Sequence, residues 1–122
     1  MTLMRTCLFF IAMTLSGVIL ASPQVERVIT LPNALFESSG LIYVKPFLWT
    51  LVDDKDTHLY AIDPKTGKVV KRLKLLGVKN QDWESIAQDR HRIYVGDFGN
   101  NSGKRRWSTI YYFSKSKLQQ VS

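Results

Sequence analysis

The sequence predicts an all-β protein built from two sheet units. Three observations lead there. Short runs of β-branched and aromatic residues recur, each closed by Gly, Pro, Asn or Asp. The order of those runs restarts near residue 80. Beyond residue 21 no stretch carries the 3.6-residue periodicity of a helix of ordinary length. The 122 residues, 45% hydrophobic and 22% charged, suit one globular domain or part of one.

The N-terminus reads as a secretory signal peptide over residues 1–21. Arg5 gives a positive start, residues 7–20 form an uncharged apolar core, and Ala21-Ser22-Pro23 offers a cleavage point. The apolar run is short of the roughly 20 residues that a spanning helix needs, so no stable membrane span is expected. The fold expectation is therefore an N-terminal signal helix, then a β domain over 22–122, exported to the periplasm or the extracellular space. Cys7 is the only cysteine and lies in the segment expected to be removed, so packing alone must hold the exported chain.

Residues 24–35 combine Val25, Val28, Ile29 and Pro32, which favours an extended strand over a helical turn. Glu37-Ser38-Ser39-Gly40 is a turn leading into Leu41-Ile42-Tyr43-Val44. After Pro46 comes Phe47-Leu48-Trp49-Thr50-Leu51-Val52, then the polar turn Asp53-Asp54-Lys55-Asp56, then Leu59-Tyr60-Ala61-Ile62. Asp63-Pro64-Lys65-Thr66-Gly67-Lys68 has Pro and Gly where a hairpin loop needs them. Residues 69–75 alternate with a polar face of Arg72 and Lys74, as on an outer strand.

Trp83-Glu84-Ser85-Ile86-Ala87 then mirrors 37–41, Arg92-Ile93-Tyr94-Val95 mirrors 48–51, and Thr109-Ile110-Tyr111-Tyr112-Phe113 mirrors 58–62. Units of this length with short strands are the size of a propeller blade, one over about 37–76 and one over about 82–117.

Glu37-Ser38-Ser39-Gly40-Leu41, Asp63-Pro64-Lys65-Thr66-Gly67-Lys68, Asp82-Trp83-Glu84-Ser85-Ile86-Ala87 and Tyr94-Val95-Gly96-Asp97-Phe98-Gly99-Asn100-Asn101 carry a resemblance. Over residues 31–113 the chain is similar to secreted bacterial β-propellers of the senescence-marker-protein/NHL and esterase-like phytase kind. Such relatives commonly carry Trp-Thr-His-Asn-Asp-Ser-Gly in the first repeat. Here Trp49-Thr50 is kept, but Leu51, Val52, Asp54 and Lys55 replace His, Asn, Ser and Gly. Propellers have about four to eight blades. The expectation is thus an incomplete propeller, a truncated relative of a larger one. Its open blade faces, with Leu48, Leu59, Ile62, Ile93, Val95, Ile110 and Tyr112, would favour self-association.

The candidate site is the loop region 82–103. Asp82, Glu84, Asp97 and Asn100 supply hard oxygens of the kind Ca²⁺ takes, and Asp97 and Asn100 equally suit a turn shaped by their own side chains, with Gly96, Gly99 and Gly103. Trp83 with Lys104, Arg105 and Arg106 is the candidate ligand surface. The formal charge of +7 fits an anionic small molecule or polysaccharide, and export argues against nucleic acid. No Gly-x-Ser-x-Gly elbow is present, which removes an α/β-hydrolase triad. His58 and His91 lack metal-ligand spacing and read as surface residues. Two functions remain open: an exported binding or structural module, and a metal-assisted ester or phosphoester hydrolase implied by the resemblance alone.

Overall fold

The computed structural model describes residues 22–53 and 55–120. The expected signal peptide and Asp54 lie outside the described residues. The remainder is mostly β. Strands β1 (Ser38–Val44), β2 (Phe47–Val52), β3 (His58–Ile62) and β4 (Val69–Lys74) form one antiparallel sheet in that order. Strands β5 (Trp83–Gln88), β6 (Arg92–Asp97) and β7 (Thr109–Ser114) form a second. A 3₁₀ turn at Asn33–Leu35 and one helical turn, α1 (Ser116–Gln119), complete it. Among the described residues no helix is long and apolar enough to cross a membrane.

Each strand lies where β-branched and aromatic residues cluster, and each turn has its own chemistry. Asp63 accepts from the Lys65 amide at 2.9 Å and from Thr66 Oγ1 at 2.8 Å, which folds the β3–β4 loop back on itself. Asp89 accepts from the amides of His91 and Arg92, both at 2.7 Å, and so starts β6.

The strand expected over residues 24–35 does not form. This segment runs extended and unpaired to the 3₁₀ turn. Pro32 has no amide to give a ladder. The segment instead covers one face of the first sheet: Leu35 packs with Val52, Tyr60 and Ile62, and Leu31 joins them.

The opposite face of the first sheet meets the second sheet. Trp49, Leu51, Leu59 and Ala61 pack there against Trp83, Ile86, Ile93 and Val95, with Leu118 of α1 closing the end. Four of the residues expected on open faces, Leu59, Ile62, Ile93 and Val95, are therefore buried, because the seam or the 31–35 segment covers them. Ile110 and Tyr112, each 63% exposed on the outer face of the second sheet, do lie open.

Strands β1 and β5 lie side by side at the seam. Ser39 Oγ donates to the Trp83 carbonyl at 2.6 Å, and Gln88 Nε2 donates to the Tyr43 carbonyl at 2.9 Å. Contacts thus advance along both strands together, so the two run in the same direction. Both strands have a register shift near their starts, between Ser38 and Leu41 and between Trp83 and Ser85. In β1 the carbonyl of Gly40 accepts from the buried Thr50 Oγ1 at 2.5 Å.

Gly40 is also a point of close approach between the two sheets. A Cβ there would stand 3.0 Å from both the amide nitrogen and a methyl of Ile86. Gly40→Val is expected to lower stability by about 1–3 kcal/mol through overpacking. Urea unfolding checks this, and an unchanged midpoint would mean that the seam is loose.

Candidate functional site

The loop after β6 is organised around Asp97, which is 1% exposed. Its Oδ1 accepts from the Asp82 amide at 3.0 Å and from Arg105 Nη1 at 2.8 Å, and its Oδ2 accepts from the Gln81 amide at 3.4 Å. Arg105 also donates through Nη1 to the Gly99 carbonyl at 3.2 Å and through Nε to the Trp107 carbonyl at 2.8 Å. Asn100 Oδ1 accepts from the Arg105 amide at 2.9 Å, and the Gly99 amide donates to the Asp82 carbonyl at 3.1 Å. The loop is closed by a part-buried ion pair and four bonds from backbone amides. At Gly99 a Cβ would fall 2.1 Å from the Asp82 carboxyl carbon, so a side chain there would push that carboxylate aside.

The sequence-predicted residues separate into two groups. Asp82, Asn100, Lys104 and Arg105 come together around a shallow pocket of about 420 Å³, with Gly99, Asn101 and Ser102. Trp83 does not join them. It is fully buried at the seam, tilted against Tyr111, with Nε1 donating to the Lys79 carbonyl at 3.0 Å. Arg105 lines the pocket, but its guanidinium is turned inward to Asp97 and two carbonyls. Lys104 and Arg106 are exposed, and Glu84 is half-buried on β5.

These placements bear on a metal. Asp97 already accepts three internal donors, one of them a guanidinium, so a cation would have to displace Arg105 from Oδ1. Among the described residues no group of three or more His, Cys, Asp and Glu is arranged to hold an ion. Ca²⁺ takes six to eight oxygens, and of the four expected ligands Asp97 is committed to internal donors in this arrangement.

A second polar cluster was not foreseen from sequence. Asp56 holds His58 Nδ1 through Oδ1 at 2.5 Å and Tyr60 Oη through Oδ2. Burial raises the Asp56 pKa, but the bonds from Tyr60 and His58 outweigh it and leave the carboxyl below its ordinary range. Tyr60 is pushed up to about 12, first by burial and then by its bond to Asp56. Arg72 lies 5.5 Å over the Tyr60 ring. The same Asp–Tyr clasp recurs at β6, where Tyr94 donates to Asp89 at 2.6 Å and holds that carboxyl at about 2. The pattern Asp-x-His-x-Tyr entering a strand is the signal that was there to read: an Asp at the turn and a Tyr further along the same strand. Asn80 is also unforeseen. Buried, it donates to the carbonyls of Val52 (3.0 Å) and Asp56 (2.6 Å) and accepts from the Trp83 amide (3.0 Å), so it ties this cluster to the seam.

No protein-family model matches the chain, and neither a curated protein nor a solved structure matches it.

Asp97→Ala should cost about 1–3 kcal/mol, because it removes the buried acceptor of the Asp82 and Gln81 amides and the charged partner of the half-buried Arg105. Urea unfolding measures this, and a loss below about 1 kcal/mol, the level of an exposed pair, would show the bridge to be idle. The Tyr60 clasp gives an alkaline signature. Its folded pKa of about 12 lies above the ordinary 10.0, so its stabilisation is complete below pH 10 and is lost as pH rises towards 12. Phenolate absorbance should show late titration of Tyr60 and Tyr94, both held by a carboxylate, and Tyr60→Phe should remove the later part of it. A titration identical in that variant would remove the clasp.

Proposed function

We propose that the chain is an exported, propeller-type binding module whose two blades present a basic rim to an anionic partner. The strand pairing supports the blade reading. The cross-strand row Ile42, Trp49, Ala61 of the first sheet corresponds to Ile86, Val95, Tyr111 of the second, at separations of 44, 46 and 50 residues. The register shift falls at the same place in each. This lines up the third strands one residue differently from the sequence alignment of 58–62 with 109–113, and a one-residue slip exchanges faces. The side-by-side course of β1 and β5 is that of inner strands in neighbouring blades.

The distribution of charge carries the anionic reading. Residues 64–81 hold six cations, Lys65, Lys68, Lys71, Arg72, Lys74 and Lys79, and no acid. Residues 98–120 hold five, Lys104, Arg105, Arg106, Lys115 and Lys117, again with no acid. The first stretch contains β4 and the second contains β7, the outer strand of each sheet. Clustered cations of one sign raise the local concentration of anions and speed their capture.

A sulfated polysaccharide is the general probe. The purified chain should bind it at low ionic strength and release it as salt rises past the point where the Debye length falls below about 10 Å. Lys104→Gln with Arg106→Gln should weaken binding about fivefold or more. Absence of binding at low salt would sink the proposal.

A further inference from the structure

The two acid-free stretches meet. Between the end of β4 with its following loop and the end of β7 with α1 runs a groove of about 340 Å³. Leu73, Leu75 and Phe113 form its floor, and Lys74 and Lys117 flank it. At its mouth stand Leu76, 83% exposed, and Tyr112, 63% exposed. Leu76 sits at a loop tip next to Gly77, whose φ of 74° turns the chain.

We infer that this groove and its lysines are a docking surface for an anionic phospholipid membrane. The inference rests on the anionic-partner reading and names the partner. The groove is apolar and its border cationic, the combination by which a peripheral surface engages acyl chains and phosphate headgroups together. A polysaccharide or a free phosphate would use the lysines but leaves Leu76, Tyr112 and the apolar floor in water. A second copy would bring another acid-free rim, and like charges oppose that contact. Lysines on β4 also discourage edge-to-edge pairing of sheets. That role accounts for Lys74 but for neither Lys117, on a helix, nor an exposed leucine between lysines. In the bound state Leu76 enters the headgroup region, the groove receives acyl carbon, and Lys74 and Lys117 lie at the phosphates.

Co-sedimentation of the purified chain with vesicles tests this. Phosphatidylglycerol vesicles should carry the chain down and phosphatidylcholine vesicles should not. Neutralising both lysines, Lys74→Gln with Lys117→Gln, should weaken binding about 25-fold, at about fivefold for each lysine. Leu76→Ser should weaken it at least about tenfold and leave the net charge unchanged. These positions are exposed, and a urea melt matching the parent shows that each variant is folded. Phosphatidylglycerol binding that ignores Leu76→Ser would mean general charge attraction and overturns the inference. So does loss of a dimer in Leu76→Ser with vesicle binding intact, which would assign the groove to a second copy. Polysaccharide binding without vesicle binding removes the lipid alone. Absence of both removes the anionic-partner reading as well.

Discussion

The structure depends on an apolar seam between two sheets. No ladder bonds join them, and the strands that touch belong to different sheets. The seam is filled chiefly by Trp49 and Trp83, 1% and 0% exposed. A tryptophan buries up to about 250 Å², which corresponds to about 6 kcal/mol of transfer free energy. The polar groups that cross the seam then fix its register. Ser39 and Gln88 each find a carbonyl on the other side, and Asn80 fills both its donor and its acceptor capacity. Apolar burial supplies the energy, and these bonds select one stagger out of several that would bury similar area.

The candidate loop hangs from the same seam. Asp97 pairs across the sheet with Trp83. The carboxylate that anchors the loop therefore starts beside the buried indole, and its partner Arg105 reaches inward from the far end of the loop. Asp97 is buried with a charge-assisted bond to Arg105 and two backbone donors, so its geometry is set before any ligand arrives. What remains for a ligand is the outer layer: Asp82, Asn100, Asn101, Ser102 and Lys104. The loop is a rigid turn with a polar surface, and its strongest charges are spent on rigidity.

Much of this was legible in the sequence. Five strands, β2, β3, β4, β6 and β7, follow from β-branched and aromatic runs between turn residues, and the polar outer face of β4 follows from alternation; β1 begins at Ser38, inside the expected turn, and β5 occupies the segment that mirrors it. The differences have separate causes. Trp83 and Arg105 stand among acids and cations, which suggests a ligand surface, but an irregular strand start hides which way Trp83 points, and only the folded loop brings Arg105 back onto Asp97. The register shift at Trp83 turns the indole into the core. Residues 24–35 looked like a strand because extended segments share a composition whether they pair with a ladder or lie across a sheet. The Asp56–His58–Tyr60 cluster was overlooked because each residue alone suits an exposed turn. The rim was half legible: both acid-free stretches can be counted in the sequence, but only the order of strands makes β4 and β7 the outer strands and brings their ends to one groove.

The placement of acidic residues then explains why the rim is basic. Asp56, Asp63, Asp89 and Asp97 each accept bonds from backbone or side-chain donors at a turn or strand end. These are positions where a short acceptor replaces a missing ladder partner. Outer strands offer no such vacancies along their length, so nothing local recruits carboxylates to β4 or β7. Cations there satisfy two demands at once: solubility for an open edge and protection of that edge from pairing. Neither demand calls for apolar groups to stand out beside the charges. Leu76 and Tyr112 do so, at considerable cost in exposed apolar area, at a groove lined by both basic stretches. A surface shaped only for solubility would have placed polar residues there.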